Sequence, residues 1–295
     1  MSTKIQWASD TLNFLGGCTF KSKGCFKCYA LKMSWRLAHN PNLNGRYEGL
    51  VRKTKEGYLQ WTNKIKFFPS ALELPFKWKK PRVIFVNSMS DMFHKNVKQE
   101  WIDMALSVFQ ECDHHIYKIL TKRPEDLLDR LPKWFDPKKN PHIWFGTSVE
   151  DQDAANERLP LLWEWYKEGI ENIYVSFEPL LGRIELATVP EMGYVDYQII
   201  DDETCKDWVF QFPFKYAILG GESGTFSGQF QARYFDLDWL NELIWPLEDA
   251  GVDIFIKQLG TIQAMELGLK NRKGGDMNEW PKKFQIRNSP FPIES

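Results

Sequence analysis

Six short runs of β-branched and aromatic residues, each closing on polar or glycine residues, set the tightest limit on how this chain folds. They are VIFVNSMSD (83–91), IYKILTKR (116–123), IWFGTSVED (143–151), IYVSFEPL (173–180), YAILGGESG (216–224) and IFIKQLG (254–260). Their starts lie 27 to 43 residues apart, the length of a βα unit. Between them, Trp101, Ile102, Met104, Ala105, Val108 and Phe109 recur at helical spacing, and Leu237, Trp239, Leu240, Leu243 and Ile244 repeat the pattern. Near-continuous apolar strands alternating with amphipathic helices specify a parallel sheet covered by helices. With Ile5 to Trp7 as a first strand, about seven strands are expected. The expected fold is α/β, a partial or near-closed (β/α) barrel, with residues 1–295 as a single domain. Two stretches stand outside the rhythm: the basic, aromatic, loop-rich segment 29–82 near the N-terminus, and 185–214, which reads as an insertion or lid.

A parallel sheet places its ligand site at the carboxyl ends of its strands. Those ends are unusually polar here: Asn87, Ser88, Ser90, Asp91 and His94; Lys122 and Arg123; Ser148 and Glu150; Glu178; Gly220, Gly221 and Glu222; Lys257 and Gln258. Each alone reads equally well as a helix cap or ion-pair partner. The same bias at six successive strand ends points to a site.

Three of the five cysteines stand together in CTFKSKGCFKC, at a C-x6-C-x2-C spacing that ends at Cys28. Met1 to Asp10 has no apolar leader, and no apolar run approaches the roughly 20 residues that cross a bilayer, so a cytoplasmic protein with no membrane partner is expected. In a reducing compartment clustered cysteines serve metals or catalysis more often than disulfides. Structural zinc wants four ligands in paired arms, and only one C-x-x-C arm is present; His39 or His94 would have to complete it. A redox couple of Cys25 and Cys28 would leave Cys18 without a role. A 4Fe-4S cluster suits the count better, because three thiolates on four irons leave one iron open. That open iron can chelate S-adenosylmethionine and pass it an electron. Cys112 and Cys205 read as incidental.

The stretch GGCTFKSKGCFKCYA, followed in order by VNSMSDMFH, ILTKRPE, FGTSVEDQ, FEPLLG, LGGESG and IKQLG, resembles a phage-associated family of three-cysteine proteins related to radical S-adenosylmethionine enzymes. The resemblance implies a radical-SAM-like barrel with the cluster loop after its first strand. It also implies that Cys18, Cys25 and Cys28 hold the metal, that Ser88, Ser90 and Asp91 meet the cofactor's amino group, that Lys122 or Arg123 pairs with its carboxylate, and that Ser148 and Glu150 meet its ribose. Two departures from the superfamily stand out. The usual spacing is C-x3-C-x2-C with an aromatic residue before the third cysteine, where this chain has Lys27; and Gly220-Gly221-Glu222 lies near the sixth strand instead of the second. Glu178, Glu222 and Lys257 are candidate catalytic groups that orient the substrate or move its protons.

The formal net charge of −1 conceals a local excess of twelve positive charges between Thr19 and Arg82. Trp35, Tyr47, Tyr58, Trp61, Phe67, Phe68 and Trp78 interleave with those cations, the mix that grips phosphates and stacks bases. The expectation is a radical enzyme that generates a 5'-deoxyadenosyl radical, draws on a reducing electron donor, and modifies or repairs DNA, RNA or a nucleotide through the segment 19–82. The alternatives are a non-catalytic nucleic-acid-binding protein stapled by metal, and a metal-dependent hydrolase.

Overall fold

The computed structural model describes residues 5–200 and 203–291, with backbone alone for 194–200 and 203–209. The described chain comprises two compact units. The first comprises Met1–Thr147, Thr225–Gln231 and the C-terminal residues from Phe291, and the second Ser148–Gly224 and Ala232–Pro290.

Four parallel strands organise the first unit: β1 (Asp10–Leu12), β2 (Val83–Val86), β3 (Ile116–Thr121) and β4 (Ile143–Ser148), hydrogen-bonded in that order. Asp10 stands opposite Ile84, Val83 opposite Ile116, and Tyr117 opposite Ile143. All four residues of β2 and all six of β4 are buried, which explains the apolar run of β2 and the apolar start of β4. Helix α1 (Tyr29–Ala38) follows the cysteines, and α2 (Gln99–Glu111) buries Ile102, Ala105, Leu106 and Phe109.

The first strand corrects the sequence reading, for Ile5 to Trp7 form no strand. Trp7 is instead buried against Phe85, ring centroids 4.6 Å apart, and the ladder opens with the Ser9 amide on the Val83 carbonyl. The apolar pair before the strand thus closes the end of the sheet. Asp10, which breaks the apolar pattern, is buried and ion-paired with Arg82.

Between β1 and β2 the basic segment builds a small core of its own from Leu31, Tyr47, Leu50, Leu59, Trp61 and Phe68 with Met89. Antiparallel pairs join Val51–Lys53 to Leu59–Trp61 and Leu15–Gly16 to Lys66–Phe67. Tyr47, Trp61 and Phe68 are therefore core residues and are not available to stack bases, and Phe67 lies flat on Trp101 at 5.0 Å.

In the second unit β5 (Ile173–Phe177), β6 (Tyr216–Gly220) and β7 (Asp253–Gln258) are parallel, with Tyr216 opposite Tyr174 and Ala217 opposite Ile254. Helices α3 (Gln152–Arg158), α4 (Leu161–Lys167), α5 (Leu237–Asp249) and α6 (Thr261–Glu266) accompany them. The stretch that breaks the rhythm contains an antiparallel hairpin, Gly193–Ile200 with Glu203–Phe210; the side chain of Cys205 lies outside the described residues. The seven parallel strands and their helices make the chain α/β, as the sequence leads one to expect. Among the described residues no helix is long and apolar enough to cross a membrane.

Candidate functional site

The cysteine loop leaves β1 and is pinned by residues that follow β2. The Asn87 amide donates to the Leu12 carbonyl, the Asn87 side-chain oxygen accepts from the Leu15 amide at 3.1 Å, and the Ser90 hydroxyl donates to the Gly17 carbonyl at 2.6 Å. Gly17 has φ +96°, and a Cβ there would stand 2.1 Å from the Lys64 carbonyl oxygen. Gly17→Ala is expected to cost about 2 kcal/mol or more, through left-handed strain joined to a backbone clash. Gly57→Ala is the control, since Gly57 has φ +85° with open space around it. A larger drop in unfolding midpoint at Gly17 than at Gly57 is the outcome to look for; equal drops would show that the loop does not need this close approach.

Past Gly17 the loop makes one 3-10 turn, Lys23–Cys25, and feeds α1 immediately after Cys28. The Lys21 amide points at the Cys25 sulfur at 3.4 Å, and the Ser22 hydroxyl lies 3.8 Å from it. Cys18, Cys25 and Cys28 form no disulfide. Burial pushes the Cys18 thiol up to about 12, reinforced by the Asp91 charge and opposed by Arg123. Cys28 is also raised, by burial first and then by the neighbouring Cys25 thiol, against the amides of Ala30 and Leu31 at the start of α1 and the charge of Lys122. Cys18 and Cys28 thus each sense a neighbouring cysteine and one cation, and burial favours the protonated form of both. Among the described residues no three His, Cys, Asp or Glu side chains are drawn together as ligands of one metal ion.

A buried polar network adjoins Cys18. Arg123, just past β3, donates from Nη1 to Asp91 Oδ2 at 2.7 Å and from Nη2 to the Thr19 hydroxyl at 2.7 Å. Thr19 also meets His94 Nε2 at 3.0 Å, while His94 Nδ1 accepts from the Asn96 amide. That acceptor role places the ring proton on Nε2, and burial with the Arg123 charge holds His94 neutral, its pKa down to about 4. Asp91 further accepts from the Thr121 hydroxyl and the amides of Phe93 and Lys122. Its carboxylate therefore takes four donors from the protein, which is a structural role and leaves little of it for a cofactor's amino group. Lys122 reaches the other way, its ammonium donating to Ser22 at 3.1 Å beside Cys25. Ser88 is bonded to Asn13 at 3.1 Å. His39 bonds the Trp35 carbonyl on α1, and His94 is committed to Thr19 and Asn96. The sequence candidates Cys18, Cys25, Cys28, Ser90, Lys122, Arg123 and Asp91 thus form one connected neighbourhood.

The remaining candidates belong to the second unit. Glu150 and Arg158 are both 1% exposed and paired at 3.0 Å, with Arg158 also donating to the Ser148 carbonyl. Glu150 is thereby held as a buried ion-pair partner. Glu178 and Lys257, after β5 and on β7, meet at 2.5 Å and keep some exposure. Glu222 receives a two-pronged contact from Arg233, at 2.9 Å and 2.5 Å, together with the Arg233 amide. Gly221 packs so closely on β7 that a Cβ would lie 2.5 Å from the Leu259 carbonyl.

The profile of the family described as "Protein of unknown function (DUF5131)" matches residues 2–284. The chain belongs to the DUF5131 family. No curated protein and no solved structure matches it. Sequence reasoning missed Thr19, Arg158 and Arg233 as the partners of candidate residues. Thr19 directly follows the first cysteine, which was a usable signal; the two arginines carry none, because their partners lie 8 and 11 residues away in loops of irregular length.

Proposed function

We propose that this protein holds a 4Fe-4S cluster on Cys18, Cys25 and Cys28, binds S-adenosylmethionine, and acts as a radical enzyme on nucleic acid or a nucleotide. The observation that carries the reading is that three cysteines share one short loop past the first parallel strand, while Ser90, Lys122 and Arg123, from the next two strand ends, bond to that same loop. The cluster, when bound and reduced, would supply the one electron that splits the cofactor's sulfonium into methionine and a 5'-deoxyadenosyl radical. The chemistry of the donors suits it, although their side chains are not drawn together as ligands here: the Cys18 and Cys28 thiols, raised by desolvation, would give up their protons to metal, and Arg123 lowers Cys18 as Lys122 lowers Cys28.

The chain's own residues divide the remaining work. Ser90 and Asn87 fix the entrance of the loop, and Arg123 links Thr19 to the buried Asp91. Lys122, whose ammonium stands beside the loop, is the cation we assign to the cofactor's carboxylate. In the second unit, Glu178 and Lys257 share one short contact along which a proton can pass, and we assign them to the substrate. Glu222, gripped by Arg233, is assigned to orienting the substrate.

Packing of Cys18 and Cys28 against the small basic core favours a second reading, in which the metal only staples that core. Paramagnetic resonance separates the two. Protein purified and reduced without oxygen should show a cluster signal that changes on adding S-adenosylmethionine; a cluster signal indifferent to it would leave the stapled nucleic-acid-binding protein.

A further inference from the structure

Three aromatic rings stand at the surface around the cysteine loop and touch in series. Phe20, Phe26 and Tyr58 are 39%, 45% and 46% exposed. Ring centroids lie 6.3 Å apart for Phe20 and Phe26, and 6.1 Å for Phe26 and Tyr58. The first two belong to the loop, while Tyr58 comes from the turn of the hairpin Val51–Lys53 with Leu59–Trp61. One side chain holds the two backbones in place. Gln229 accepts from the Leu59 amide at 2.7 Å and donates to the carbonyls of Leu59 at 2.9 Å and Phe26 at 3.3 Å. Lys27 adds a bond to the Gln231 carbonyl at 2.7 Å. A dedicated strap thus arranges rings that remain exposed, against the tendency of such rings to be covered.

The charge around the rings says what suits them. The hairpin carries exposed Arg52, Lys53 and Lys55 against one exposed acid, Glu56, and Lys23 is exposed on the loop, so cations prevail around the rings. Aromatic faces with flanking cations match a strand whose bases are unpaired: the rings stack on bases, the cations meet phosphates, and no base identity is required. A duplex hides its base faces, and an acidic protein answers the cations but offers no stack. We propose that Phe20, Phe26 and Tyr58 form a base-stacking platform for single-stranded nucleic acid, with Gln229 as its positioning residue. The proposal rests on the nucleic-acid reading above and names the form of nucleic acid and the groups that take it.

Fluorescence anisotropy with the anaerobically purified protein tests it, using labelled oligothymidylate and a duplex of equal length. Phe26→Ala and Tyr58→Ala should each weaken oligothymidylate binding about fivefold or more, Tyr58→Phe should bind as the parent does, and duplex binding should be weaker and insensitive to these changes. Gln229→Ala should weaken the single strand and leave the salt dependence unchanged, since it removes no charge. Unchanged affinity in both alanine variants, with salt-sensitive binding retained, would overturn the platform and leave the nucleic-acid reading standing. No binding of either probe to the parent protein at low salt would overturn both. Competition by polyglutamate as strong as by unlabelled oligothymidylate would overturn the platform in favour of an acidic protein partner. Unfolding midpoints of Phe26→Ala and Tyr58→Ala equal to that of the parent separate loss of the ring from loss of fold.

Discussion

Single replacement of Cys18, Cys25 or Cys28 by alanine should remove nearly all iron and sulfide from protein purified without oxygen, and with them any turnover. A cluster held by three thiolates has no spare ligand on the protein. His94, the nearest imidazole to the loop's network, is occupied by Thr19 and Asn96 and cannot step in without breaking both bonds. Cys112→Ala is the matched control: it is also buried, at 3% exposure, yet it sits at the end of α2 away from the motif. Iron and sulfide analysis should show that variant as full as the parent. Full loading of Cys25→Ala, or an empty Cys112→Ala, would refute the ligand assignment.

The largest effect on stability is expected at Arg158. Its guanidinium and the Glu150 carboxylate are both withdrawn from water, so each depends on the other. Removing one member of such a pair leaves a buried charge and typically costs about 3–5 kcal/mol. Arg158→Met also strips a donor from the Ser148 carbonyl, which accepts from Arg158 at 2.6 Å. Chemical denaturation should therefore show a much lower midpoint for Arg158→Met, with much of it restored in Glu150→Gln/Arg158→Met, because the second change removes the stranded charge. If the single variant unfolds like the parent, the pair does not carry the fold and the structural assignment of Glu150 and Arg158 is wrong.

The strands were legible because parallel strands covered on both faces favour near-continuous apolar runs; β2 and β6 show that run, while β4 and β5 admit only the small polar residues Thr147, Ser148 and Ser176. The first strand was not, because Ile5 to Trp7 supply apolar cover while the true strand carries Asp10, tolerable only beside Arg82. The polar strand ends were visible as residue types, but their pairings were not. Asp91 and Arg123 meet across 32 residues, and Lys257 and Glu178 across 79. Such distances are set by loop lengths and strand order, which no local pattern encodes. The aromatic residues of the basic segment show the same limit. Trp61 and Tyr58 differ by three positions on one hairpin, yet one is core and the other surface, a distinction made by the face of the hairpin that meets Leu31 and Leu50. Gln229 gave no signal at all, since its bonds to Leu59 and Phe26 join parts of the chain some 170 and 203 residues away.

The central claim is that the loop of Cys18, Cys25 and Cys28 serves S-adenosylmethionine chemistry, and one measurement meets it directly. Protein with a full cluster, reduced by dithionite under anaerobic conditions in the presence of S-adenosylmethionine, should release 5'-deoxyadenosine, slowly even without substrate. Lys122→Ala should lower that yield with the iron content unchanged, since its ammonium bonds Ser22 and is not a ligand. A fully loaded protein that yields no 5'-deoxyadenosine under these conditions would contradict the account.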